Sequence, residues 1–114
     1  MALQNVIGDG DGAGLDETGI TAAGTTQGTA YLLRAQNSEV TTVAAGSGVV
    51  VSNHLTAGRQ QVIFNAGANA LKVYPRTGLQ INALPTNQPF YLAPNTGVIL
   101  QCVSSTRILG VLSA

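Results

Sequence analysis

The sequence predicts an all-β domain, an antiparallel β-sandwich or jelly-roll-like barrel with a glycine-rich extended N-terminal arm. Three observations lead there. Twelve Thr stand against two Glu and one Lys, so a strong strand former is abundant and two strong helix formers are scarce. No window carries a sustained apolar stripe at helical spacing. Turn-type Gly or Asn falls at Gly48, Gly58, Gly67, Gly78, Asn87 and Gly97, at intervals of 10, 9, 11, 9 and 10 residues. Short strands at that spacing belong to sandwiches and barrels.

The first 28 residues read as an arm. They hold seven of the fourteen glycines and four of the five acids, Asp9, Asp11, Asp16 and Glu17, with no base. Glycine costs the most backbone entropy to order. The segment is therefore expected either to stay a loose acidic leader or to order on a more basic neighbour. Fully extended it would reach about 90 Å. Asp9-Gly10-Asp11-Gly12 resembles the start of a calcium loop, but Ala13 and Ile20 stand where its fifth and twelfth ligands belong. No metal site is expected.

Residues 29–114 read as the body. Ala70 to Ile81 aligns without gaps on Pro89 to Leu100, each a strand, a Pro-x-Thr-Gly connection and a second strand. Proline presets φ at the start of such a turn and glycine supplies the positive φ that ends it. Coils of about twenty residues in a β-solenoid would also repeat, but solenoids need three or more similar repeats. Two repeats favour the sandwich or barrel. Alternation places Val62 and Phe64 opposite Gln61 and Asn65, and Leu71 and Val73 opposite Lys72 and Tyr74. Towards the C-terminus both faces become apolar. Val98, Leu100 and Cys102 oppose Ile99 and Val103, and Ile108 and Leu112 oppose Leu109 and Val111. Strands of that kind are covered on both sides, and part of that cover is expected from other subunits.

Charge narrows the function. Five bases and five acids make 9% of the chain and cancel, while 45% is hydrophobic. Ordinary soluble domains carry about 25% charged residues. No surplus of Lys and Arg exists to neutralise phosphates, so nucleic acid is not an expected partner. Apolar runs are only a few residues long, far short of the roughly 20 of a membrane span, and Met1 to Asn5 carries no basic leader region. A surface near zero net charge tends to associate. The balance is also uneven. Residues 1–33 carry four acids and no base, giving −4, and residues 34–114 carry five bases and Glu39, giving +4.

Catalytic chemistry is sparse. His54 is the only histidine and Cys102 the only cysteine, which excludes an internal disulfide and a multi-histidine metal site. The glycines of the arm spell neither a dinucleotide nor a P-loop fingerprint, and no Gly-x-Ser-x-Gly elbow occurs. The chain is expected to be no enzyme and to bind no cofactor. Five aromatics and no Trp argue against a sugar-stacking sandwich. The candidate interface residues are Asp9, Asp11, Asp16 and Glu17 in the arm and Tyr74 and Arg76 beside the Pro75–Gly78 connection. Tyr and Arg are enriched among binding hot spots.

Two stretches carry a resemblance. Gly24-Thr-Thr-Gln27 to Ala30 followed by Val40 to Val49, and Val62 to Ile81 with Asn65-Ala66-Gly67, Val73-Tyr74-Pro75 and Gly78, resemble small virion-associated structural proteins of tailed bacteriophages. The similarity spans about Ile20 to the C-terminus; a Trp expected near Thr106-Arg107 is absent. Within that group the capsid decoration (cement) type fits the low charge and the arm-and-body organisation. It implies a homotrimer on the capsid exterior, bound to the major capsid protein, made in the host cytoplasm. The alternative is a module of a phage tail, head fibre or spike.

Overall fold

The computed structural model describes residues 16–113. Ten strands and no helix are present among them: β1 (Asp16–Thr21), β2 (Tyr31–Leu32), β3 (Asn37–Thr42), β4 (Gly48–Val50), β5 (Gln60–Asn65), β6 (Leu71–Tyr74), β7 (Gln80–Ile81), β8 (Phe90–Leu92), β9 (Thr96–Cys102) and β10 (Arg107–Ser113). They form two sheets, one of six strands in the order β1-β3-β5-β9-β10-β7 and one of four in the order β2-β4-β6-β8. The all-β class expected from the sequence is the class observed.

Strand direction differs from the antiparallel expectation. β1, β3 and β5 pair in parallel in one sheet, and β2, β4 and β6 pair in parallel in the other. The chain therefore winds as three stacked coils, β1–β2, β3–β4 and β5–β6, in a β-solenoid-like arrangement. Antiparallel strands then close the stack: β8 on β6, β9 on β5 and β10 on β9. The aligned copies at Ala70–Ile81 and Pro89–Leu100 are not successive coils. Their first strands, β6 and β8, run antiparallel with Leu71 beside Leu92. Their second strands, β7 and β9, are separated by β10.

The arm boundary also moves. Asp16–Thr21 lies in the sheet, and Ile20 and Ala22 are buried in the core. Gly19 has φ +70° and sits where the β1–β3 register shifts between Glu17 and Ile20. This is a bulge that an L side chain would strain, so this glycine shapes a strand rather than loosening a leader. Asp9 and Asp11 lie outside the described residues.

The core fills the space between the sheets. Val40, Ile63, Val98, Leu100 and Ile108 come from the larger sheet, and Val49, Leu71, Val73 and Leu92 from the smaller. Each fully buried aliphatic side chain of this size contributes about 1.5–3 kcal/mol. Alternation held on β6, where Leu71 and Val73 point inward. On β5 the polar side of the pleat turns inward: Gln61, Ile63 and Asn65 are buried, and Phe64 is exposed.

The two buried amides have work at the corners of the coils. Gln61 donates through Nε2 to the Ala35 carbonyl (2.9 Å) and accepts from the Ser52 amide at Oε1 (3.0 Å). It thus ties the corner of each preceding coil to β5. Asn65 donates to the Asn69 and Leu92 carbonyls (both 2.9 Å) and accepts from the Gly67 amide (2.9 Å). Corners contain backbone groups that no ladder can satisfy, and burial makes an unmet group costly.

Two outcomes follow from this arrangement. Asn65→Ala strands two carbonyls and an amide and should lower unfolding free energy by roughly 2–4 kcal/mol in denaturant titration. Deleting residues 1–28 removes β1 with Ile20 and Ala22, so melting temperature should fall clearly. A 29–114 fragment melting like the full chain would show that β1 adds nothing to the core.

Candidate functional site

The outward face of the six-stranded sheet is the surface most unlike an ordinary solvated one. The β5–β9 register sets Val62 beside Ile99, and the β9–β10 register sets Ile99 beside Val111. A row of β-branched side chains thus crosses three strands. Phe64 and Leu109 flank it on the same face, and Gly97 under Phe64 leaves room for the ring, 3.2 Å from where a Cβ would stand. Val111 is 66% exposed, Ile99 42%, Leu109 41% and Phe64 40%. Val62 is half-buried. The opposite faces of β9 and β10 are spent on the core through Val98, Leu100, Cys102 and Ile108. The two-sided apolar pattern expected at Val98–Val103 is therefore present, with its outer half uncovered in the single chain.

One flank of this row is acidic. On β3, Asn37 lies beside Val62 and Glu39 beside Phe64. On β1, Asp16 lies beside Asn37 and accepts its side-chain amide (2.9 Å), while the Thr18 hydroxyl donates to Glu39. Asp16, Thr18, Asn37 and Glu39 with Val62 and Phe64 line a shallow depression of about 300 Å³. It has carboxylates on its wall and hydrocarbon on its floor.

Glu17 plays a different part from its neighbour Asp16. It lies opposite Ser38 on the inward side of β1 and crosses to the smaller sheet. Its Oε2 accepts from the Tyr31 hydroxyl (2.8 Å) and from Arg34 (3.1 Å). Oε1 is buried and has no partner among the described residues. The hydrogen bond to Glu17 raises the Tyr31 pKa above its ordinary 10, with burial adding to it, because losing the phenol proton would set an anion against a carboxylate. Arg34 is held charged by the same carboxylate.

Tyr74 and Arg76 face inward duties instead of an open surface. Tyr74 is buried, and its hydroxyl donates to the Thr25 carbonyl (3.0 Å), pinning the 22–30 connection to the smaller sheet. Arg76 is half-buried and donates to the Leu55 carbonyl (2.9 Å). The sequence reading puts Asp16 in a separate arm; the structure places it on this face, with Glu39, Val62, Phe64, Ile99 and Val111. The doubled apolar pattern on β9 and β10 was the available signal for the last two. Parallel pairing of β3 on β5, which brings Glu39 to Phe64, left no local mark.

Among the described residues no three His, Cys, Asp or Glu side chains gather as metal ligands, and no helix is long and apolar enough to cross a membrane. Cys102 is buried and free. It acts as a small core hydrophobe among Val98, Leu100 and Ile108.

The Tyr31 shift has a defined sign. Its folded-state pKa exceeds the unfolded value, so the bond's contribution is full below pH 10 and is lost as pH rises through the folded value. In an ultraviolet titration of phenolate, Glu17→Gln should lower the highest tyrosine midpoint. An unchanged curve would show that Glu17 does not hold the proton.

Comparison with models of known protein families, with curated proteins and with solved structures finds no match.

Proposed function

We propose that this chain is a structural protein of a tailed-bacteriophage virion, of the capsid decoration type, acting by adhesion to the outer shell. The observation that carries this reading is the exposed Val62–Ile99–Val111 row on a rigid sheet. Apolar patches left open on a folded domain mark docking surfaces. Further apolar side chains, Leu32, Tyr91 and Leu112, are exposed elsewhere, and such a surface suits attachment to a large scaffold better than life as a dilute monomer. In this reading the partner is the major capsid protein, the site is the capsid exterior, and the protein is a homotrimer. The glycine- and acid-rich segment ahead of β1 is its docking arm. Several modest contacts joined on one chain reinforce each other through effective concentration.

The parallel coils favour a second reading, a module of a tail, head fibre or spike, because coil stacks suit elongated assemblies. Co-sedimentation separates the two. A decoration protein pellets with intact heads and not with purified tails; binding to tails alone would replace the first reading with the second. Binding to neither would remove both. Removing residues 1–15, which spares β1, should weaken head binding.

A further inference from the structure

The outward face of the six-stranded sheet is polarised. Its β1–β3 flank carries Asp16 and Glu39, its centre carries Val62, Phe64, Ile99 and Val111, and its β10 flank carries Arg107. Arg107 is exposed and spends Nε and one Nη on the Asn82 carbonyl (3.2 and 3.0 Å). A guanidinium has five N–H donors, so donors remain for a carboxylate. Arg59 precedes β5 at the same end of the face, since its carbonyl accepts from the Cys102 amide.

Arg107 cannot meet Asp16 or Glu39 within one chain. Glu39 shares a row with Phe64, Gly97 and Ser113. Arg107 stands six residues before Ser113 on β10, about 20 Å away along the strand. Three strand spacings add about 14 Å across the sheet. Three of the other bases are engaged elsewhere. Arg34 pairs with Glu17, Arg76 holds the Leu55 carbonyl, and Lys72 reaches the Thr25 carbonyl on the smaller sheet.

The depression beside Val62 and Phe64 has the shape and chemistry of an arginine receptor. Arginine is amphipathic: its methylene stem covers apolar surface while its head seeks charge. A stem on Val62 and Phe64 would bring the guanidinium to Asp16 and Glu39, and the fork geometry favours carboxylates. We propose that this face binds a second copy of the chain, with the Arg107 flank of one copy seated in the Asp16–Glu39 depression of the other and the apolar rows covering each other. The occupant is chosen by complementarity, because the surface that presents the receptor also presents its counterpart at the opposite flank. Pairing of this polarity closes a ring or a dimer. It removes the exposed hydrocarbon from every copy. This rests on the reading of the chain as an assembling virion protein; it gives this face to the neighbouring copy and leaves shell attachment to the proposed arm.

Sedimentation velocity of the full chain from about 1 to 100 µM tests it. The wild type should sediment as an oligomer, weakened by high salt. Ile99→Glu and Arg107→Glu should each raise the dissociation constant at least about tenfold, with unchanged far-ultraviolet circular dichroism. The double variant Glu39→Arg/Arg107→Glu reverses both partners and should recover association lost in Arg107→Glu. A monomer across the whole range overturns the inference, even if that monomer still pellets with phage heads, in which case the virion role stands. An oligomer that ignores heads has the converse meaning. Association unaltered by Arg107→Glu, or not recovered in the double variant, overturns the arginine contact.

Discussion

Everything in this molecule depends on keeping parallel coils in register while their corners are buried. A parallel ladder cannot be closed by a tight hairpin; each strand must travel to the other sheet and return before it meets its neighbour. The return passes through irregular backbone whose N–H and C=O groups have left water and have no ladder. Gln61 and Asn65 settle that problem from one strand. Gln61 reaches the corners at Ala35 and Ser52, and Asn65 reaches its own corner and the end of β8. Both are fully buried, and both use donor and acceptor ends. An aliphatic residue at either place would bury more hydrocarbon and leave the corners unmet.

Such a scheme hides itself from a reading of sequence. The strand positions at Leu71, Val73, Val98, Leu100 and Ile108 were legible, because alternation is local and the apolar face is the inner one. The inner face of β5 was not legible, since buried amides look like solvated ones until their partners are known. Nor was the coil repeat. Asn37 pairs with Asp16 and Val62 with Asn37, steps of 21 and 25 residues, while Val49 pairs with Tyr31 and Val73 with Val49, steps of 18 and 24. Corners of unequal length erase periodicity. The even spacing of turn residues came from several causes. Gly58, Gly78 and Asn87 take positive φ, whereas Gly97 lies inside β9 under Phe64.

The division of labour between the two faces of β9 and β10 links fold to function. One face seals the open side of the coil stack against β5 and supplies much of the core. The other carries hydrocarbon that the single chain leaves largely exposed at Ile99, Leu109 and Val111. Two acids of the expected arm separate in the folded chain: Glu17 closes the gap between the sheets with Tyr31 and Arg34, and Asp16 faces outward with Glu39 of β3 beside Val62 and Phe64. Neighbouring carboxylates in sequence thus serve opposite sides of one strand, a separation that follows from the pleat.

The bulge at Gly19 has a consequence for how the molecule ends. β1 is an edge of the six-stranded sheet, and an edge strand offers its free backbone groups to any passing strand. Parallel stacks are especially exposed to this hazard, because a further coil from another molecule would continue the ladder without a change of geometry. Between Glu17 and Ile20 the regular spacing of β1 is broken, and the bulge twists the edge away from a straight template. Among the described residues the first coil thus presents a broken edge, not a straight one, to a passing strand.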